Sequence, residues 1–131
     1  VCATPAEVIA ALTKPRLVSL MVPHGVVDEM LVAILPHLAR GDTVIDGGNS
    51  FYGDSMHRAK ELAKKGIGFL DCGTSGGPWG ARHGACLMVG GEKNLFEKYE
   101  RLFEDLSGDH QHSNIPTNVG GLLYLISSSI L

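Results

Sequence analysis

The chain has 131 residues, of which 44% are hydrophobic and 19% charged, and its formal net charge is −3. This length fits one domain, and the composition supports a core and argues against a disordered chain. The charge gives no general attraction to nucleic acid or anionic lipid, and no secretory signal or apolar run of ~20 residues is visible. We therefore expect a soluble cytoplasmic protein without nucleic-acid or membrane partners, in which local groups hold any anionic ligand.

The first predicted elements are a buried strand and an amphipathic helix. Residues 16–22, "RLVSLMV", form a short apolar run that ends at Pro23 and predicts the strand. Pro36 is expected to kink the helix or weaken its last turn, and Gly41 to stop it. The apolar stripe that predicts this helix consists of Val27, Met30, Leu31, Ile34, Leu35 and Leu38.

The next segments repeat this alternation of strand and helix. Residues 43–45 predict a second buried strand that opens into "DGGNS", and residues 54–65 predict a helix closed by Gly66. "IGFLDCGTSGG" predicts a third strand with a glycine turn, and "ACLMVGG" a fourth strand. A last helix is predicted from Leu95, Phe96, Tyr99, Leu102, Phe103 and Leu106, and the pattern then fades into a loop. In the second helix the expected apolar face is Met56, Ala59, Leu62 and Ala63.

Alternating strands and helices predict an α/β fold, a partial Rossmann-like, doubly wound and mainly parallel sheet with helices on both faces. Ligands of such sheets bind beyond the carboxyl ends of the strands. Three segments follow strand ends here, namely "VPHG", "DGGNS" and "GTSGG". Their shared position favours a common binding edge.

"DGGNS" places two glycines and Asn49 directly after a strand. Glycine lets a ligand approach the main chain, and the Asn49 amide can donate and accept hydrogen bonds to a sugar hydroxyl or a carboxamide. The alternative is a tight turn in which Asn49 caps the following helix. The segment alone supports both interpretations.

"GTSGG" offers the Ser75 hydroxyl and the bare N–H groups of Gly76 and Gly77 as a nest for a carboxylate or phosphate. The alternative is a further turn. We expect Trp79 to be a packing plate against which this loop folds. Nearby Arg82 could pair with phosphate or be solvated, and His83 is expected to be an exposed loop residue.

The metal-ligating residue types show no metal-binding pattern. Cys2, Cys72 and Cys86 lack zinc-type spacing, and we expect them to be small buried residues in a reducing compartment. His110 and His112 are expected to be solvated. We therefore predict no metal site.

Taken together, "LMVPHGVVDEML", "GDTVIDGGNSFYGDS", "KGIGFLDCGTSGGPWGARHGACLMVGG" and "FEKYERLFEDL" resemble the 6-phosphogluconate dehydrogenase family in its shorter, bacterial-type branch. The likeness covers about residues 4–107. By resemblance, Met21, Val22 and Pro23 match the turn beside the dinucleotide NADP or NAD, and Asn49 matches the asparagine that contacts cofactor and substrate. The triplet Ser75, Gly76 and Gly77 matches the substrate-binding residues.

The resemblance is incomplete at both ends. The family's first strand with its GxGxxG turn, and the second strand that selects NAD or NADP, have no counterpart here, and neither do the catalytic Lys and Glu. We thus assign no catalytic residue. We expect residues 1–107 to form an incomplete NAD(P)-binding Rossmann-like domain with an exposed sheet edge and poor solubility, and residues 108–131 a divergent tail.

The resemblance implies part of a pentose phosphate pathway and gluconate-utilization enzyme that oxidatively decarboxylates 6-phosphogluconate to ribulose 5-phosphate. The parent enzyme is expected to be a homo-oligomer, and this chain alone to be inactive. Two alternatives stay open. One is a fragment of another β-hydroxyacid dehydrogenase of the 3-hydroxyisobutyrate type, and the other is a non-catalytic binding module.

Overall fold

The computed structural model describes residues 2–107 and the backbone of a strand at 121–126. The chain forms two compact units, residues 1–71 and residues 72–131. The first contains α1 (Pro5–Ala11), β1 (Leu17–Leu20), α2 (Val27–Ile34), β2 (Thr43–Asp46), α3 (Tyr52–Ala63) and the start of β3 (Gly68–Ser75). The second contains the rest of β3, α4 (Gly77–His83), β4 (Cys86–Gly91), α5 (Lys93–Ser107) and β5 (Gly121–Ile126).

The first unit contains a parallel sheet in which β1 pairs with β2 and β2 pairs with β3. The register aligns Val18 with Val44 and Val44 with Phe69, so these side chains share one face. They form a buried core together with Ile9, Leu20, Val27, Leu31, Ile34, Leu62 and Ile67, which come from the strands, the three helices and the adjoining loop. On the other face, Ile45 and Leu70 are buried as well. Burial on both faces explains why these strands are almost uninterrupted apolar runs.

The expected effect of Pro36 on helix α2 is confirmed. Helix α2 ends at Ile34, and a 3₁₀ turn at Leu35–His37 follows it. Proline has no N–H to continue the α-helical hydrogen bonds, and its ring crowds the preceding turn. The prediction that Gly41 stops this helix is wrong, because the helical segment ends at His37. Gly41 instead lies in the following turn with φ at 92°, where a residue with a side chain would be strained.

Asp42 ties the amino ends of the strands together. Its buried carboxylate accepts hydrogen bonds from the N–H groups of Arg16 and Ala39, at 2.7 and 2.8 Å, and from the Arg16 guanidinium at 3.1 Å. Burial alone would raise the pKa of Asp42, but these hydrogen bonds and the Arg16 charge outweigh it and hold the pKa below its ordinary value. The carboxylate is therefore charged when the protein is folded.

In the second unit, β4 pairs in parallel with β5, from Cys86 opposite Gly121 to Gly91 opposite Ile126. Helix α5 buries Phe96 and Phe103, whose rings lie parallel with their centroids 5.7 Å apart. The tail prediction did not include the strand β5. The loop expected after residue 107 lies outside the described residues, as do His110 and His112.

The parallel α/β architecture is confirmed, because each strand pair described above is parallel. The cysteine prediction is only partly right. Cys72 is buried, whereas Cys2 and Cys86 are exposed, and none of the three is in a disulfide. No helix within the described residues is long and apolar enough to cross a membrane.

Candidate functional site

The first predicted segment, Met21–Pro23, leaves the carboxyl end of β1 and leads through a 3₁₀ turn at His24–Val26 into α2. The N–H of Val26 donates to the carbonyl of Pro23 at 2.9 Å, which closes this turn. Val22 packs partly against the core, whereas the side chain of Met21 is 66% exposed. The segment therefore presents an apolar surface at the end of the strand.

The second predicted segment, Gly47–Asn49, lies directly against the first. The Gly47 N–H donates to the Leu20 carbonyl at 2.9 Å, which extends the pairing of β1 with β2. A Cβ on Gly48 would lie 2.5 Å from the Val22 carbonyl oxygen and 3.2 Å from a methyl of Val27. Close contact between two backbones thus requires glycine at this position. The structure brings these two predicted segments together.

Asn49 projects from this glycine turn. It is exposed and has φ at 54°, the left-handed conformation that asparagine tolerates better than most residues. The interpretation of Asn49 as a helix cap is wrong, because α3 begins after Phe51, whose side chain makes no capping hydrogen bond. Asn49 follows directly after Gly48, whose main chain contacts that of Val22.

A buried ionic network fixes the glycine turn. Asp46 is fully buried, and its carboxylate accepts hydrogen bonds from the Gly48 N–H at 2.9 Å and the Ser50 hydroxyl at 2.7 Å. It also accepts one from the guanidinium of Arg58 at 3.1 Å. Arg58 is 5% exposed and uses Nε and Nη2 for a two-point contact with Asp28, at 2.7 and 3.0 Å. The network connects α3, the glycine turn and the first turn of α2.

The charges of this network stabilise one another. The hydrogen bond from Arg58 lowers the pKa of Asp28, and the hydrogen bond to Asp28 raises the pKa of Arg58 above its ordinary value. The guanidinium is thus permanently charged beside the buried Asp46. Such a group is retained in a protein interior only when it is paired and hydrogen-bonded.

The third predicted segment, Ser75–Gly77, lies in the second unit and joins β3 to α4. All three residues are exposed, and Gly76 and Gly77 have φ at 135° and 53°. A Cβ on Gly76 would lie 3.0 Å from the Cα of Gly80, whereas nothing lies within 4 Å of one on Gly77. The expected glycine turn is present and leads directly into a helix. Bare, accessible main chain is therefore available at Gly77.

Trp79, two residues after this segment, is not the packing plate for a loop that was predicted. Trp79 is 55% exposed, and its ring contacts that of His83 within α4, with the centroids 4.2 Å apart and the planes tilted by 32°. It packs on its own helix rather than beneath the loop. His83 and Arg82 are exposed, as expected for His83, although both belong to a helix rather than a loop. No group of residues suited to a metal ion occurs in the described part of the chain.

Comparison with known proteins identifies relatives of this chain. A family model described as the NAD binding domain of 6-phosphogluconate dehydrogenase matches residues 1–118. The decarboxylating 6-phosphogluconate dehydrogenases of Haemophilus influenzae and Caenorhabditis elegans are 49% and 45% identical over 102 residues. These residues are 77% of this chain and 21% of each enzyme. The chain thus spans about a fifth of the length of these relatives.

Solved structures of dehydrogenases resemble the fold of this chain. The 6-phosphogluconate dehydrogenase of Plasmodium falciparum, solved in its apo form, with NADP+ and with 6-phosphogluconate, matches 91% of this chain and 24% of its own. The TM-score is 0.75 at 36% identity. The 3-hydroxyisobutyrate dehydrogenase of Mycobacterium tuberculosis covers 91% of this chain and 38% of its own with a TM-score of 0.73 at 20% identity, which shows the fold alone. The Rossmann-like fold class is confirmed.

Proposed function

The chain belongs to the family of the NAD binding domain of 6-phosphogluconate dehydrogenase, and from this premise we propose that it is the cofactor-proximal part of such an enzyme. The whole enzyme would oxidatively decarboxylate 6-phosphogluconate to ribulose 5-phosphate with NADP or NAD. The observation that carries the proposal is the contact of the Met21–Pro23 and Gly47–Asn49 turns at the carboxyl ends of neighbouring parallel strands. Rossmann-like sheets bind dinucleotides at such ends.

The exposed groups at this edge suit the cofactor. Met21, Val22 and Pro23 would provide apolar surface, and Asn49 would supply an amide able to donate and accept hydrogen bonds to a sugar or carboxamide. The bound dinucleotide supplies the chemistry by accepting a hydride from the sugar acid. The residues of this chain bind and orient; none is proposed to transfer a proton.

The Ser75–Gly77 segment is proposed to bind the sugar acid. Its hydroxyl and two glycine N–H groups can donate to carboxylate oxygens without a basic side chain, which suits a chain of net charge −3. Asn49 is proposed to contact substrate as well as cofactor. We further propose that the protein acts in the cytoplasm on small molecules, without nucleic acid or membrane, and that the parent enzyme is a homo-oligomer.

The test is a binding titration of the full chain by calorimetry with NADP, NAD, 6-phosphogluconate and 3-hydroxyisobutyrate. We expect NADP or NAD and 6-phosphogluconate to bind without turnover. Asn49→Asp keeps the shape and the left-handed conformation but removes the amide donor, and should weaken dinucleotide binding about 3- to 10-fold. Asn94→Asp, at an exposed asparagine of α5, is the matched control and should bind normally.

Two outcomes would contradict the proposal. Absence of binding to both nucleotides and to 6-phosphogluconate by a folded chain would leave the turns without a ligand. Tighter binding of 3-hydroxyisobutyrate than of 6-phosphogluconate would favour the other dehydrogenase class. Turnover of each acid by the full-length parent enzyme distinguishes the two classes independently.

A further inference from the structure

The ionic network around Arg58 reaches three of the elements next to the first two candidate segments. Asp46 precedes the glycine turn, Asp28 belongs to the helix that follows the Met21–Pro23 turn, and Arg58 lies in α3. The guanidinium bridges the two carboxylates, with separate nitrogen atoms for each. The turns themselves contribute main chain rather than charged side chains. Their relative position therefore depends on groups outside them.

We propose that Arg58 is a positioning residue that fixes the Gly47–Asn49 turn against the Met21–Pro23 turn through Asp46 and Asp28. The inference rests on the proposed function only in assuming that these turns bind the dinucleotide. Arg58 itself is 5% exposed and contacts no ligand in this proposal. It acts on Asn49 through the Asp46 carboxylate, which accepts the Gly48 N–H.

The geometry explains why an arginine is required. Glycine has more accessible backbone conformations than any other residue. A turn that contains two glycines therefore needs an external constraint to present Asn49 in one orientation. The planar guanidinium offers a two-point contact to Asp28 and a further N–H to Asp46 in fixed directions. Lysine has a single ammonium group and cannot reproduce both contacts at once.

The two carboxylates allow the role to be separated from folding. Removal of Arg58 would leave Asp46 buried without its cation, so that variant could simply fail to fold. Asp28, in contrast, is 73% exposed, and Asp28→Asn removes only the outer anchor of the guanidinium. Glu29→Gln is the matched control, because Glu29 is the exposed neighbour in the same helical turn and forms no ion pair with a described residue.

The experiment measures amide hydrogen exchange of Gly48 by NMR and NADP affinity by calorimetry in the full chain. We expect exchange about 3- to 10-fold faster in Asp28→Asn, at a melting temperature within about 2 °C of the unmodified chain, since one exposed charge-assisted contact is lost. NADP affinity should fall by a similar factor. Arg58→Lys should show a larger change in both, and Glu29→Gln none.

The outcomes separate this inference from the proposed function. Exchange at Gly48 that is identical in Asp28→Asn, Arg58→Lys and Glu29→Gln would overturn the positioning role, whatever the chain binds. Faster exchange with unchanged NADP affinity would also overturn it, because the turn would then not control binding. Absence of NADP binding by the unmodified chain would refute the proposed function, while the exchange data would still decide whether Arg58 holds the turn.

Discussion

The contact between the two turns makes a quantitative prediction for Gly48→Ala. The added Cβ would lie 2.5 Å from the backbone oxygen of Val22 and 3.1 Å from the Asp46 carboxylate. The Val22 oxygen belongs to the backbone, and the Asp46 carboxylate is held in place by Ser50 and Arg58. The backbone at Gly48 must therefore move away from that of Val22. Overpacking of this kind costs about 2 kcal/mol. At about 2.1 cal/mol/K of unfolding entropy per residue, this cost lowers the melting temperature of a chain of this length by about 7 °C.

Two further glycines serve as internal controls in a thermal melt followed by circular dichroism. Nothing lies within 4 Å of a Cβ on Gly25, so Gly25→Ala should melt at the same temperature as the unmodified chain or about 2 °C higher. A Cβ on Gly47 would collide with the sulfur of Met21, which is exposed and can move aside, so Gly47→Ala should be intermediate. If Gly48→Ala melted within 1 °C of Gly25→Ala, the claim of a backbone-to-backbone contact would be refuted.

Two other substitutions test the fold around the site. The pKa of Asp42 is lower in the folded chain than its ordinary value of 3.8, so its charge stabilises the fold above that pH, and the contribution is lost as the pH falls through the folded pKa. Asp42→Asn should therefore lower the free energy of unfolding by about 3 kcal/mol at pH 7, because it leaves Arg16 unpaired. In thermal melts at decreasing pH, the stability difference from the unmodified chain should shrink below about pH 4. A difference that stays constant from pH 7 to 2 would contradict this prediction. Phe103→Ala should lower the free energy of unfolding by about 3–5 kcal/mol, because Phe103 is fully buried against Phe96. Leu106→Ala, at a 53% exposed position, should change the denaturation midpoint little. Equal effects of the two substitutions would show that the buried face of α5 is assigned incorrectly.

The spacing of apolar residues predicted most helices and strands correctly, because burial in the core determines this spacing. Strands buried on both faces produce short apolar runs, and helices that cover them produce stripes at three- and four-residue spacing. Strands β1 to β4 and helices α2, α3 and α5 were found in this way. Pro36 was also interpreted correctly, since the effect of proline on a helix is local and needs no tertiary information.

Three elements were missed: helices α1 and α4 and strand β5. Helix α4 (Gly77–His83) was interpreted as part of a glycine-rich loop, because its glycines and proline indicate a turn. Helix α1 has only seven residues, but its start carries a recognisable capping signal: Thr4 accepts the Glu7 N–H, the Glu7 carboxylate accepts the Ala3 N–H, and Pro5 is the first helical residue. The sequence thus contained the information. Among the described strands β5 pairs with β4, and a short apolar run by itself does not distinguish a strand from a helix.

The positions of the turns in the candidate site were predicted, but the ionic network that holds one of them was not. The carboxyl ends of parallel strands located the turns that contain Met21 and Asn49. The expected apolar face of α3 was only partly right: Leu62 is buried, but Ala63 is exposed, and the other buried positions of the helix are Ser55 and Arg58. A hydropathy pattern assigns arginine to solvent and cannot show that two distant carboxylates will accept it. Only the register that brings β2 beside β1 reveals the network.

The network also limits where an anionic ligand can be held. Arg16 and Arg58 are both committed to carboxylates, Asp42 for the first and Asp28 with Asp46 for the second. Neither guanidinium can approach a phosphate or a sugar acid without abandoning a buried carboxylate, which is costly. We therefore expect these two arginines to affect binding only through the shape they impose on their own unit. The exposed groups that can contact anionic oxygens include the main-chain N–H groups of Gly76 and Gly77 and the guanidinium of Arg82.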